Sequence, residues 1–134
     1  MKEKKRIALF CFLADLGVSI WSYKEIQNYD EYLKIVKPII NSPDFQVQLY
    51  ALILQTVIFT IIFFLLFHIV IYVLYLKDVK YARKYMRFYT FLAAISAAIM
   101  MFSGVIIAIF PLIAYAYSFI SVGKELKSLA IKKA

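Results

Sequence analysis

Two long stretches without a charged residue constrain the fold of this chain more than any other feature. Val47 to Leu76 spans 30 residues and Phe88 to Gly123 spans 36, and neither contains lysine, arginine, aspartate or glutamate. A bilayer core about 30 Å thick is crossed by roughly 20 helical residues at about 1.5 Å each. The first stretch predicts one long helix. The second predicts two helices, provided that the first of them begins in the preceding basic loop near Arg83.

Composition supports a membrane location. Of the 134 residues, 64% are hydrophobic and 18% are charged. A soluble domain of this size has too little interior to bury so much apolar surface. The sequence therefore predicts an all-α integral membrane protein, a four-transmembrane-helix bundle with a long second helix. The predicted helices lie at residues 6–23, 44–77, 82–102 and 105–124, in a single domain covering residues 1–134.

The segment at residues 24–43 is the most polar part of the chain and is predicted to lie on the membrane surface. Tyr29, Tyr32, Leu33 and Val36 are spaced as one face of a short amphipathic helix. Pro38 is predicted to end it. The preceding basic head and apolar segment are interpreted as a retained helix, because a cleaved signal peptide would not carry an acid in its apolar region.

The break between the third and fourth helices is predicted at Phe102-Ser103-Gly104, since glycine supports a sharp turn. Pro111 is the alternative position for this break. Thirteen of the 16 lysines and arginines lie in the head, in residues 77–87 and in the tail. Four crossings place all three regions on one side of the membrane. The positive-inside tendency then predicts that both termini are cytoplasmic.

Asp15 is the first candidate for a functional group, because it lies within an otherwise apolar helix. An intramembrane carboxylate is costly unless it is protonated, paired or next to water. Ser19 follows one turn later on the same face, and Gln55 is predicted at a similar depth in the second helix. These residues predict a site for a proton, an ion or a small solute. The alternative is an interhelical hydrogen bond that only stabilises packing.

His68 is a secondary candidate for the same site. It is the only histidine in the chain, and Tyr72 and Tyr75 share its helix face. An imidazole that titrates near neutral pH can relay protons. A lone histidine without a second ligand does not predict a metal site.

Small residues recur at helical spacing in the last two helices. Ala93, Ala97 and Gly104 lie on one side of the third, and Ala114 and Ser118 on one side of the fourth. In lipid such residues let helix backbones approach closely. They predict a tight helix contact, either within the chain or between copies of it.

Five basic residues are predicted to lie at anionic lipid headgroups on the cytoplasmic side: Lys77, Lys80, Arg83, Lys84 and Arg87. Nucleic acid binding is not expected, because the positive charges separate apolar stretches and do not form a polar face. No cofactor and no enzymatic activity are expected, because phosphate-binding glycine loops and the HExxH and GxSxG motifs are absent from the sequence.

The predicted function is the passage of protons, ions or a small solute through a small oligomer of this chain. Asp15 would be the coupling or selectivity group. The alternative is a non-transporting accessory or assembly subunit of a larger membrane complex. Besides the bilayer, the expected partner is a second copy of the chain or another membrane subunit.

Overall fold

A computed structural model describes the backbone of residues 1–40 and 45–133, and the side chains of residues 1–25, 45, 48, 49, 52, 53 and 55–133. This part of the chain is almost entirely helical and contains no strand. The four long helices are α1 (Lys2–Ile40), α2 (Phe45–Leu76), α3 (Lys80–Phe102) and α4 (Ile109–Lys133), with a 3-10 turn at Ile106–Ala108. The predicted all-α class is confirmed.

Four segments are long and apolar enough to cross a membrane. They are Lys2–Glu25, Gln55–Leu76, Lys80–Phe102 and Ile106–Lys133. The four predicted membrane helices are thereby confirmed as candidate spans, and the 36-residue uncharged stretch does divide between two of them. Which side of the membrane each end faces stays a prediction.

The first helix is longer than the sequence predicted. It was expected to end near residue 23, but α1 continues to Ile40, two residues beyond Pro38. Residues 18–37 contain neither glycine nor proline, so nothing in the backbone interrupts the helix there. The amphipathic face at residues 29–36 concerns side chains outside the described residues. The predicted position of this segment on the membrane surface stays untested.

Each of the two described connections ends a helix with the same backbone arrangement. At the end of α3, Val105 N–H donates to Met100 O at 3.0 Å and Gly104 N–H donates to Met101 O at 3.1 Å. This pair of bonds is the Schellman motif, which needs a left-handed residue. Gly104 supplies it with a φ of 100°. The break predicted at Phe102-Ser103-Gly104 therefore lies where the helix ends, and Pro111 lies within α4.

The end of α2 repeats this motif with a different residue. Val79 N–H donates to Leu74 O and Asp78 N–H donates to Tyr75 O, both at 3.1 Å. Asp78 is the left-handed residue, with a φ of 64°. Aspartate tolerates this conformation better than most residues. The turn leaves only three residues between α2 and α3.

The chain divides into two compact units. The first unit comprises Met1–Val18 and Phe67–Ala134, and the second comprises Ser19–Leu66. Segments of all four helices contribute to the first unit. Its larger apolar core contains Ile7, Ala8, Cys11, Tyr72, Tyr75, Ala82, Met86 and Val122. A smaller core contains Ala14, Ala97 and Tyr115, with Ala93 and Ala114 packed against it.

The second unit has a different character among its described side chains. The α2 residues Leu52, Ile53 and Phe59 are all more than half exposed. Thr56 Oγ1 donates to Leu52 O at 2.8 Å, and Thr60 Oγ1 donates to Thr56 O at 2.7 Å. The hydroxyls are thus satisfied by the backbone of their own helix. This part of α2 presents an apolar surface suited to lipid.

Candidate functional site

Asp15 is fully buried in the first unit and is surrounded by tyrosine hydroxyls. Its Oδ1 accepts hydrogen bonds from Tyr115, at 2.6 Å, and from Tyr89. Its Oδ2 accepts a hydrogen bond from Tyr72. Asp15, Tyr72, Tyr89 and Tyr115 are called the tyrosine cluster below. Each member comes from a different helix, so the cluster connects α1, α2, α3 and α4.

Small side chains lie where α1, α3 and α4 meet beside the carboxylate. Ala14, next to Asp15, packs with Ala97 of α3 and with Tyr115 of α4. Ala93 and Ala114 lie against the same group. A tyrosine hydroxyl lies about 6.5 Å from its Cα, so it reaches the helix interface only when the backbones are suitably spaced. The alanines therefore allow a close approach of α1, α3 and α4 at the cluster.

His68 lies beside the cluster and is also buried. Its ring is 4.1 Å from the Tyr89 ring, centroid to centroid. Its Nε2 atom is 3.1 Å from the hydroxyl of Tyr85, which is half-buried and one turn before Tyr89 on α3. The Tyr85 and Tyr89 rings stack almost parallel, with centroids 6.0 Å apart. His68 thus contacts Tyr89, which is hydrogen-bonded to the carboxylate, and Tyr85 continues the contacts along α3.

The chemistry of the cluster is that of a carboxylate held by neutral donors. Among the described residues, no lysine or arginine forms an ion pair with Asp15. An ionised carboxylate can accept several hydrogen bonds, and a protonated one donates one and accepts others. A tyrosine hydroxyl can donate or accept. Either protonation state of Asp15 can therefore be hydrogen-bonded by the same three tyrosines.

Two of the four predicted site residues lie together in the first unit, and the contact with Gln55 stays a prediction. Asp15 and His68 both belong to the first unit and share contacts with Tyr89. Gln55 belongs to the second unit and its side chain is exposed. Ser19 also belongs to the second unit, at its boundary on α1, and is buried.

Tyr89 and Tyr115 are site residues that sequence reasoning missed. Tyr72, which the sequence placed only on the helix face of His68, and Tyr115 are both buried. Two sequence signals were available. Tyr85 and Tyr89 are four residues apart on one helix face, and Tyr115 is three residues before Ser118, on the face already predicted to pack.

The predicted packing residues have two different roles. Ala93, Ala97 and Ala114 contact the smaller core of the first unit. Ser118 is fully buried and donates a 2.8 Å hydrogen bond to Ala114 O within its own helix. Gly104 is exposed and forms the turn after α3, so its contribution is the backbone conformation.

A second polar group, called the charged end below, joins the helix ends of the first unit. Its members are Lys4, Asp78, Arg83 and Glu125. Lys4 and Arg83 each pair with both acids; the Lys4–Glu125 distance is 3.1 Å and the Arg83–Asp78 distance is also 3.1 Å. The hydroxyl of Tyr75 donates to Glu125 Oε2 at 2.8 Å. The beginning of α1, the α2–α3 turn and the last part of α4 therefore lie together.

The residues predicted to contact lipid headgroups divide in two. Arg83 forms ion pairs within the charged end, and its side chain is largely buried. Lys77, Lys80, Lys84 and Arg87 are exposed. In the described part of the chain, no three histidine, cysteine, aspartate or glutamate side chains are grouped so as to hold a metal ion.

The fold and the site together define a helical protein with four candidate membrane spans around a buried aspartate. No known family model matches the chain, and no curated protein and no solved structure is significantly similar to it. Any functional assignment therefore depends on the geometry of the described residues alone.

Proposed function

We propose that this chain supports proton passage across a membrane, with Asp15 as the group that binds and releases the proton. The observation that carries the proposal is the set of hydrogen bonds from three tyrosines, on three different helices, to one fully buried carboxylate. Intramembrane carboxylates are rare and are associated with proton and ion pathways. Of the solutes expected from the sequence, a proton suits this site best, because hydroxyls already contact both carboxylate oxygens.

Proton binding at Asp15 would change the hydrogen bonds between helices. With Asp15 ionised, all three tyrosine hydroxyls donate to it. When Asp15 is protonated, its own O–H needs an acceptor, so one tyrosine hydroxyl must turn and accept. Because each tyrosine belongs to a different helix, the change alters contacts of α2, α3 or α4 with α1. Protonation is thereby coupled to helix packing.

His68 and Tyr85 provide a direction for the proton to leave the cluster. His68 contacts Tyr89, and its Nε2 lies within hydrogen-bonding distance of the hydroxyl of the half-buried Tyr85. Since Asp15 has no exposed surface in the first unit, a proton reaches it through such groups or through movement of the helices. His68 would have the secondary role of a relay.

The test is proton flux into liposomes that contain the purified chain, driven by a potassium diffusion potential and followed with an enclosed pH-sensitive dye. Asp15→Asn retains the shape of the side chain but cannot be ionised, so it should abolish the flux. His68→Gln should slow it. Tyr81→Phe is the matched control, because Tyr81 is a strongly exposed tyrosine of α3. Flux through Asp15→Asn equal to that of the wild type would show the proposal to be wrong.

The second candidate function is that of an accessory or assembly subunit without transport. The same hydrogen bonds favour it, because they connect four helices and stabilise packing without any passage. Under this proposal the wild type shows no flux above that of empty liposomes, and Asp15→Asn lowers its thermal stability. Loss of flux at nearly unchanged stability supports the first proposal instead.

We also propose that the charged end faces the cytoplasm, with both termini on that side. The contacts of Lys4 with Asp78 and Glu125 support a common side for the head, the second loop and the tail. The excess of lysine and arginine there supports the cytoplasmic side. Proteolysis of a tag after Ala134 in intact cells tests this orientation, since a cytoplasmic tag stays protected.

Self-association stays part of the proposal. The large apolar side chains that the first unit exposes on α3 and α4, such as Phe102, Phe110 and Ile113, can meet either lipid or a second copy. Chemical crosslinking in membranes as a function of protein density distinguishes these two situations.

A further inference from the structure

A groove with two cations at its rim runs between α3 and α4 of the first unit. Its volume is about 510 Å³, and it is lined by Lys84, Arg87, Phe88, Phe91, Phe119 and Leu126. None of these residues belongs to the tyrosine cluster or to the charged end. The groove therefore has no role in the proposed proton site.

The two cations differ from their neighbour Arg83 in their surroundings. Arg83 is paired with Asp78 and Glu125, whereas neither Lys84 nor Arg87 forms an ion pair with any described residue. Both are exposed. Lys84 and Arg87 are three residues apart on α3, so their side chains project from the same face. An unneutralised pair of positive charges is thus left at the groove.

Arg87 is held above the apolar part of the groove. Its guanidinium lies 5.6 Å from the centre of the Phe119 ring, in a cation–π contact. The Phe119 ring is in turn 5.5 Å from that of Phe91, one turn further along α3. Gly123 of α4 lies beside Arg87, since a Cβ atom there would be in ordinary van der Waals contact with Arg87 Nε, at 3.8 Å.

The groove is polar at one end and apolar at the other. Lys84 and Arg87 lie in the first turns of α3, near the charged end, whereas Phe91 lies farther along the helix. On α4, Leu126 lies near Glu125 of the charged end, and Phe119 lies about 10 Å farther from it at 1.5 Å per residue. In a membrane this order places cations at headgroup depth and phenylalanines at acyl-chain depth.

We propose that this groove binds one anionic phospholipid, with the phosphate between Lys84 and Arg87 and an acyl chain against Phe91 and Phe119. Charge complementarity selects this occupant over a second copy of the chain. A second copy carries a net charge of +8 and would bring like charge toward two unneutralised cations. A phospholipid supplies both the negative charge and the apolar chain that the two ends of the groove require.

The experiment measures how many phospholipids the purified full chain retains, by native mass spectrometry after exchange into mixed phosphatidylglycerol and phosphatidylcholine micelles. The double variant Lys84→Gln/Arg87→Gln removes both groove cations. It should lower the preference for phosphatidylglycerol roughly 10- to 30-fold, the value for two headgroup contacts. The matched control, Lys77→Gln/Lys80→Gln, removes the same charge from exposed positions that do not line the groove. It should leave one retained phosphatidylglycerol per chain.

A further variant tests the apolar end of the groove with a conservative substitution, which should leave the chain folded. Phe119→Leu keeps an apolar side chain but removes the aromatic ring beneath Arg87, and should weaken retention less than the double variant. Equal losses in the two double variants would overturn the proposal, because they would show diffuse attraction to surface charge. A groove variant that changes the number of chains per complex, while lipid retention stays the same, would overturn it in favour of a contact between copies.

Discussion

Two polar groups hold the first unit together, and they do so by different physical means. The tyrosine cluster has one acid and three neutral donors, all within the spans. The charged end has two acids and two bases at the ends of the helices. Both groups receive residues from several helices. They differ in burial, since Asp15 is fully buried, whereas in the charged end the side chain of Asp78 is 62% exposed and those of Lys4, Arg83 and Glu125 are partly buried.

This difference sets how strongly each group acts. Ion pairs of an exposed residue such as Asp78 are screened by water and salt, and each contributes about 0–1 kcal/mol to the free energy of unfolding. The partly buried pairs of Glu125 are screened less, but they still lie closer to water than Asp15 does. Hydrogen bonds between membrane helices average about 0.6 kcal/mol and reach about 1.7 kcal/mol. They are not screened by dissolved ions. The tyrosine cluster should therefore dominate stability and resist salt, whereas the charged end should contribute less and depend on salt.

The largest effect is expected for Asp15→Ala. This substitution removes the carboxylate that accepts three hydrogen bonds, so three buried or half-buried tyrosine hydroxyls lose their acceptor. The free energy of unfolding should therefore fall by about 2–4 kcal/mol. Reversible unfolding in mixed micelles measures this change. Leu13→Ala is the control, because Leu13 lies on the same helix and is more than half exposed. A smaller loss for Asp15→Ala than for Leu13→Ala would contradict the structural role given to the cluster.

The next largest effect on stability is expected when a single tyrosine hydroxyl is removed. Tyr115→Phe keeps the ring and removes one 2.6 Å hydrogen bond, so it should cost about 1 kcal/mol in the free energy of unfolding. In the Asp15→Ala background the same substitution should cost clearly less, because the Asp15 acceptor is gone and only the 3.4 Å contact with the Tyr89 hydroxyl is left to lose. Tyr81→Phe should be neutral in both backgrounds. An equal cost of Tyr115→Phe in both backgrounds would mean that the hydroxyl does not act through Asp15.

The sequence predicted the backbone of this protein better than its site. Uncharged stretches identify membrane helices because an apolar solvent admits few other structures. Gly104 identifies the α3–α4 turn because it tolerates a positive φ. The end of α1 was missed because hydropathy reports where a span ends, whereas helix propensity decides where the helix ends. Residues 24–37 are more polar than the span before them, but they contain no glycine or proline that would stop the helix.

The members of the site were harder to predict because tyrosine is amphipathic. At membrane depth a tyrosine can face the headgroups or the helix interior, and composition does not distinguish the two. Asp15 and His68 stood out because ionisable groups are rare in spans. Tyr89 and Tyr115 can be assigned to the site only when it is known which helices face one another. Asp78 was likewise missed as a turn residue, because aspartate is less common than glycine at positive φ.

A smaller effect is expected at the charged end. Glu125→Gln removes the charge that pairs with Lys4 and Arg83 but keeps an acceptor for Tyr75. The cost should be about 1 kcal/mol at low salt and should fall measurably at 0.5 M salt, where the Debye length is only a few ångströms, because the pairs of Glu125 are only partly buried. Thermal unfolding at the two salt concentrations measures it. Glu3→Gln, at an exposed position, is the control. If Glu125→Gln lowers the stability equally at both salt concentrations, the charged end does not differ from the tyrosine cluster in its dependence on salt.

The smallest effect is expected for Asp78→Gly, because two contributions of opposite sign act at this position. The substitution loses the exposed ion pairs of Asp78 with Lys4 and Arg83, but glycine adopts the φ of 64° more easily. The net change should lie within about 0.5 kcal/mol of the wild type. Asp78→Ala loses the same ion pairs and keeps a Cβ at the left-handed position, so it should be about 1 kcal/mol less stable than Asp78→Gly. Thermal unfolding of the two variants at low salt measures this difference, which isolates the backbone contribution. If the Asp78→Ala and Asp78→Gly variants prove equally stable, the left-handed conformation at residue 78 has no measurable cost in the free energy of unfolding. The ion pairs alone would then account for the contribution of Asp78 to stability.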